Sequence, residues 1–357
     1  MIKILFVTQL LGKNLFGGVE TKMMNYKTMI NDESAEIVVK LFDNWNDIIE
    51  EYDVIHLFNI TSFPFESFMI AKYAKERGLK VVVNPIFYQD DKFINEMHGR
   101  FFVLFWKIFR SFKKNIKLFR YFDPFRYNEE LFKITDLVIA NTNEEFLCLN
   151  KWFRNISSKN TTIIPNDVSY EFKNGDKKIF TNKYGFKDFI LFVGRIEPRK
   201  NVLRLIKAFV KSNLNTKLVI IGKIVDFNYY EQCEKASNSN VIFIQHINHN
   251  SEILKSAYKS SKVLVLPSFL ETPGRSALEG GLAGSNVIIT EIGGTKEYFR
   301  DYVWYIDPNS EKSMLNALID AYNAPKSANL SRYIEKNFIA EIITKKYVEM
   351  YKSIMNI

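Results

Sequence analysis

Two acidic residues, Glu271 and Glu279, stand with seven residues between them in the stretch Lys262–Thr295, KVLVLPSFLETPGRSALEGGLAGSNVIITEIGGT. Between them Thr272-Pro273 predicts a helix start, with Thr272 as N-cap and Pro273 at the first helical position, where a missing N–H costs nothing. The N–H groups of Gly274, Arg275 and Ser276 would then point out of the helix end, toward oxygen or negative charge. Upstream, Phe192-Val193-Gly194-Arg195 ends a buried-strand pattern on a glycine turn, followed by Glu197, Lys200 and Asn201. Two cations beside a helix end suit a diphosphate. Each of these residues also has a plain structural role open to it. An Arg–Lys pair near a turn is a common surface feature, and a glutamate two turns into a helix is often simply solvated.

The elements that must position these residues follow an alternating plan. The first half predicts strands at Ile2–Thr8, Glu36–Leu41, Val54–Leu57, Lys80–Val83, Leu137–Ala140 and Thr162–Pro165. Helical stretches lie between them: one from Gly17-Gly18-Val19-Glu20 to about Ile30, others near Pro64–Arg77 and Asn143–Phe153. Asn166–Asp188, with Asn174-Gly175-Asp176 and several lysines, loses the rhythm and reads as a linker. The second half restarts at Phe189–Val193, Lys217–Ile221, Val241–Ile244, Val263–Leu266, Asn286–Ile289 and Val303–Ile306. This rhythm predicts an α/β protein of two doubly wound, Rossmann-like domains facing across a cleft. The expected divisions are 1–170, 171–335 and a last helix, 336–357, suited to cross back onto the first domain. In an open parallel sheet, ligands meet the chain where two strand-to-helix turns lie side by side.

The Glu-x7-Glu spacing with Pro-Gly inside it, together with the string GRIEPRKN at 194–201, resembles the retaining glycosyltransferases of family 4, which have the GT-B fold. The resemblance is strong in the C-terminal half and looser between Pro85 and Asp136. It implies a nucleotide-diphosphate sugar as donor and a glycan or lipid-linked acceptor, in bacterial cell-surface polysaccharide synthesis. It also implies that Arg195 and Lys200 hold the diphosphate, near Gly194. Glu279 would accept hydrogen bonds from the ribose, for which a carboxylate is a natural partner. Glu271 would touch the donor sugar, beside Thr272, Pro273 and the N–H groups of Gly274 and Arg275. Glu271, Arg195 and Lys200 are thus the expected catalytic residues. Gly17-Gly18 with Glu20 matches the family's Gly-Gly-x-Glu, which faces the diphosphate or acceptor. By position, the turn Gln245-His246-Ile247 is expected at the base.

Two departures stand out. Asp167 replaces the glycine of the family's Pro-Asn-Gly after Pro165-Asn166. The family's histidine after the fourth strand is absent, leaving Tyr88, Gln89 or Asp90 to enter the cleft; His56 is a further acceptor-side candidate, with a structural role equally open to it. The missing histidine also suggests an alternative, a catalytically inactive sugar-nucleotide-binding or scaffolding protein of the same fold. No Asp-x-Asp and no His/Asp cluster of ligand spacing occurs, so neither metal nor cofactor is expected. Fixed cations can neutralise a leaving diphosphate instead: at about 4 Å and an effective dielectric of about 20, one contact is worth about 4 kcal/mol before desolvation.

The chain has 357 residues and a net charge of +9, unevenly placed. Residues 100–126 hold eight basic residues and one acidic one, with ten aromatics. Phe101, Phe105, Ile108, Phe112, Ile116 and Phe119 fall at helical spacing, and Lys107, Arg110, Lys114 and Lys117 form a second, basic stripe near Trp106. Such a helix either packs on the first domain or lies in an anionic membrane surface. The expectation is peripheral attachment to the inner face of the cytoplasmic membrane, with no nucleic-acid partner. The lone cysteines Cys148 and Cys233, the short apolar start and the lack of a long apolar run fit a cytoplasmic protein.

Overall fold

A computed structural model describes residues 1–8, 18–43, 45–88, 104, 108, 125–245 and 247–357. The described chain forms two compact units, residues 1–165 with 341–357, and residues 166–340.

In the first unit β1 (Ile2–Val7), β2 (Ile37–Leu41), β3 (Val54–Phe58), β4 (Lys80–Asn84), β5 (Leu137–Ala140) and β6 (Thr161–Ile163) form one parallel sheet in the order β2-β1-β3-β4-β5-β6. The strands are short apolar runs such as IKILFV, as expected where helices cover both faces of a parallel sheet. The last helix, Ala340–Ile354, belongs to this unit's core. Its Ile343, Tyr347, Met350 and Tyr351 pack with Phe6, Tyr26 and Phe58. The spacing 343, 347, 350 puts them on one helical face.

The second unit carries β7 (Ile190–Val193), β8 (Leu218–Ile221), β9 (Val241–Ile244), β10 (Val263–Leu266), β11 (Asn286–Thr290) and β12 (Trp304–Ile306). Their order is β12-β11-β10-β7-β8-β9, all parallel. Strand order reverses between β7 and β10, where Ile190 pairs with Val263 and Leu191 with Leu264. That reversal is the topological switch point, outside which ligands of doubly wound sheets bind.

One expectation is overturned here. The segment read as a linker is part of the second unit. A 3-10 turn, Tyr170–Asn174, and a helix, Lys177–Tyr184, bury Phe172 and Phe180 in its core. Asp176 caps that helix, and Gly185, at φ 80°, ends it. Each phenylalanine contributes about 1.5–3 kcal/mol by burial, which polar surroundings in the sequence concealed.

Candidate active site

The loops leaving β7 and β10 are tied together. Asn201, left-handed at φ 58°, donates through its amide to the carbonyls of Pro267 (3.1 Å) and Pro308 (2.8 Å). Phe269 N–H donates to the Arg199 carbonyl at 3.0 Å. These bonds set the 3-10 turn Pro198–Lys200 against the loop that carries Glu271. Lys200 Nζ then lies 2.5 Å from Glu271 Oε1, with both side chains nearly buried. Ser268 Oγ donates to the same oxygen at 2.6 Å. Burial would push the Glu271 carboxyl up, but the charges of Lys200 and Arg199 and these two bonds hold it below its ordinary range.

Glycines shape the same loop. Gly274 sits at φ +86°, and a Cβ there would lie 2.5 Å from Leu266 Cδ2 and 3.3 Å from Glu271 Oε2. Gly293, at φ +99°, lets the β11 loop approach so closely that a Cβ would stand 2.1 Å from the Glu271 carbonyl. Gly274 also corrects the expected helix start. A left-handed residue cannot continue a right-handed turn, so the helix begins at Arg275 and runs to Ala283, capped by Gly274. Thr272 and Pro273 precede it; the Thr272 carbonyl accepts from Asn166 Nδ2 at 3.2 Å. Helix geometry leaves the first-turn N–H groups, those of Arg275 and Ser276 included, without an intrahelical partner.

Glu279 lies on that helix, buried. His249 Nε2 is 2.7 Å from its Oε1, and Tyr258 O–H donates to its Oε2 at 2.5 Å. Burial raises the carboxyl's affinity for a proton; His249, Arg275 and Tyr258 outweigh it and bring Glu279 below its ordinary value. The Arg275 Nε is buried and has no acceptor among the described residues. Arg195 is exposed and stands 3.2 Å from Glu197, which also faces Arg199 at 3.4 Å. Gly194 ends β7, and Gly222 fits over it so closely that a Cβ would lie 1.8 Å from the Gly194 carbonyl.

The structure thus brings Lys200, Glu271, Arg275 and Glu279 to the loops and helix start beside the switch point. On the expected base-side turn, Gln245 is exposed, Ile247 packs on the core and His246 lies outside the described residues. Sequence reasoning missed His249, Tyr258, Ser268 and the anchoring role of Asn201. No spacing singles out His249 or Tyr258, which reach Glu279 from 30 and 21 residues away.

In the first unit Tyr88 is half-buried, and its hydroxyl donates to Glu144 at 3.1 Å. His56 overturns its acceptor-side placement. It is fully buried, stacks on Phe58 at 4.1 Å and meets the Tyr351 hydroxyl at 2.5 Å. Burial holds its ring well below its ordinary pKa, as a neutral structural group. Gly18 opens the helix Gly18–Glu33, whereas Gly17 lies outside the described residues. So do Phe101, Phe105, Trp106, Lys107, Arg110, Lys114 and Lys117. Among the described residues no helix is long and apolar enough to cross a membrane.

Residues 175–337 match the family model Glycosyl transferases group 1. An uncharacterized glycosyltransferase of Methanocaldococcus jannaschii is 29% identical over 194 residues, 50% of this chain and 49% of its own. The O-antigen chain mannosyltransferase RfbU of Salmonella typhimurium is 25% identical over 189 residues, 52% of this chain and 50% of its own. The chain therefore spans about half the length of these curated relatives. Among solved structures, HepE of Anabaena in complex with UDP-glucose superposes with a TM-score of 0.70 at 15% identity, covering 99% of this chain and 100% of that one. The fold is GT-B.

Proposed function

We propose that this protein is a retaining glycosyltransferase that moves a sugar from a nucleotide-diphosphate sugar to a glycan or lipid-linked acceptor in bacterial cell-surface polysaccharide synthesis. The observation that carries it is the gathering of Lys200, Glu271, Arg275 and Glu279 beside the switch point between β7 and β10. In this reading Glu279 accepts from the ribose hydroxyls. Arg195, Lys200, Arg275 and the first-turn N–H groups meet the diphosphate. Glu271, held by Lys200 and Ser268, faces the donor sugar. The bond from the sugar's anomeric carbon to the diphosphate breaks, and an oxocarbenium-like sugar forms. The acceptor hydroxyl adds on the same face, and its proton passes to the departing phosphate oxygen. The cations meet charge that grows as that bond breaks, so they stabilise the transition state more than the ground state.

The likeness of HepE, solved with UDP-glucose, supports a nucleotide-sugar donor. The likeness to an O-antigen mannosyltransferase supports a surface glycan as product. The absence of Asp-x-Asp from the sequence supports metal-independent transfer. The basic, aromatic stretch at 100–126 supports peripheral attachment to an anionic membrane.

The test is a thermal-shift screen of nucleoside diphosphates, followed by mass spectrometry of donors with candidate acceptors. One nucleoside diphosphate series should stabilise the protein, and its sugar conjugate should be transferred or slowly hydrolysed, in EDTA as well as in magnesium. Stabilisation with no turnover would replace this reading with a binding protein of the same fold. No stabilisation at all would refute both. Co-sedimentation with anionic vesicles at low salt tests the membrane arm, and wild-type protein left in the supernatant would remove it.

A further inference from the structure

A carboxylate offers about four acceptor positions, two on each oxygen. Tyr258 occupies one on Oε2 of Glu279, and His249 faces one on Oε1. Among the described residues one position on each oxygen is left, the pattern that a pair of adjacent hydroxyls requires. The two holders differ in kind. Tyr258 is fully buried, and burial followed by the neighbouring Glu279 charge holds its hydroxyl protonated. His249 is about one-third exposed, on the loop after β9. That loop is a tight turn: Asn248 accepts from Asn250 N–H through its side chain at 3.0 Å and from Ser251 Oγ through its carbonyl at 2.6 Å.

Both ring nitrogens of His249 face oxygen. Nε2 is 2.7 Å from Glu279, and Nδ1 is 3.1 Å from Asn250 Oδ1. Only the protonated ring donates from both sides; a neutral ring donates from one, and Asn250 must then turn its amide. The ring edge rests on Phe172, with centroids 5.3 Å apart, which fixes its plane. Among the described residues, the charged groups facing it are Glu279 and Arg275 from the helix Arg275–Ala283. Tyr258, from the helix Glu252–Ser260, bears on it through Glu279, and the 3-10 turn presents only the Phe172 ring. The bond to Glu279 raises the proton affinity of His249 above its ordinary value, against burial and Arg275.

We infer that His249 is a positioning residue of the donor site, a titrating clamp that fixes Glu279 for a vicinal diol and ties nucleotide affinity to pH. This rests on the donor-site reading above. With the ring protonated, a charge-assisted bond holds the carboxylate in place, and a positive charge stands beside the site of an anionic ligand. With the ring neutral, the charge is lost and the clamp loosens. Affinity therefore falls as pH rises through the titration of His249. The ribose contact is the same in ground and transition states, so kcat at saturating donor does not follow.

The experiment is calorimetric titration of the full chain with the nucleoside diphosphate that stabilises it, from about pH 6 to 9, for wild type, His249→Gln and His249→Ala, with kcat and KM measured alongside. Gln keeps an N–H for Glu279 but does not titrate. The ratio of the wild-type Kd to that of His249→Gln cancels the ligand's own titration. Expected is a wild-type affinity that weakens by about tenfold across the range relative to His249→Gln, the size of a lost bond to a charged group. His249→Ala should bind weakly at every pH, and kcat should be alike in all three. A pH profile of His249→Gln parallel to the wild type, or wild-type affinity in His249→Ala, would overturn the inference while leaving the donor site intact. A wild type that binds no nucleoside diphosphate at any pH overturns the donor-site reading and this inference with it.

Discussion

Lys200→Ala should damage stability and turnover by separable routes. The substitution removes the ammonium 2.5 Å from Glu271 Oε1 and leaves a carboxylate whose side chain is only 9% exposed. Breaking one side of a buried pair costs about 3–5 kcal/mol. Glu271 keeps the Ser268 bond at 2.6 Å and the charge of Arg199, so the lower end, about 3 kcal/mol, is expected. In a unit of this size each kcal/mol lowers Tm by about 2–4 °C, so the loss is about 6–12 °C. The pH dependence follows from the direction of the carboxyl's shift. In the wild type Glu271 lies below its ordinary value, so its stabilising contribution is present above that value and lost as pH falls through the folded one. In the variant the Lys200 charge and bond that lowered it are gone, so the folded value rises relative to the wild type. The deficit is then largest near neutrality and shrinks as acid protonates Glu271.

The assay is a thermal melt of wild type, Lys200→Ala and Lys200→Met/Glu271→Gln at about pH 7 and pH 4.5, with turnover measured at saturating donor. The double variant buries no unpaired charge, so it should recover most of the lost Tm while kcat stays depressed. A Lys200→Ala Tm within about 1 °C of wild type at both pH values would refute the buried-pair argument. Full turnover in the double variant would refute the role given to these residues in catalysis.

Gly274→Ala should destabilise the second unit by about 1–3 kcal/mol, because φ is +86° and the new Cβ lies 2.5 Å from Leu266 Cδ2; urea denaturation measures this, and an unchanged midpoint would contradict it. Tyr351→Phe leaves His56, whose Nε2 already has no partner among the described residues, without its Nδ1 bond as well. The first unit should lose about 1–3 kcal/mol while nucleotide affinity stays at wild type, and a loss of nucleotide affinity would return His56 to the functional site.

The sheets were legible because a parallel strand buried on both faces must be a short apolar run, and runs such as ILFV and VLVL, each ahead of a helix, have little else to be. Lys200 and Glu271 were legible as individuals because each lies just past such a run. Their pairing was not. It depends on Asn201 reaching two carbonyls 66 and 107 residues away, and no local pattern announces that. The helix start was misplaced by two residues for a local reason. Thr-Pro is a sound start signal, but Gly274 takes the left-handed conformation that only its missing Cβ permits beside Leu266.

Asn166–Asp188 failed differently. Phe172 and Phe180 lie in a stretch whose apolar residues are interrupted by asparagines, lysines and glycines and sustain neither a strand nor a helix period across its length, and their burial is decided by what the rest of the second unit presents to them. Glu279 shows the same limit at the functional site. Its spacing from Glu271 marks it as special, but its acceptor geometry is set by Tyr258 and His249, from other elements. A motif in one chain can therefore name the carboxylate, whereas the lone pairs left for a ligand follow only from the fold. Two proteins sharing Glu-x7-Glu can differ in nucleotide affinity and in its pH dependence through whatever side chain stands where His249 stands here. That position lies in a loop, where substitution is tolerated most readily. The part of the site least legible in sequence is thus the part through which donor affinity can be retuned without disturbing the sheet that supports it.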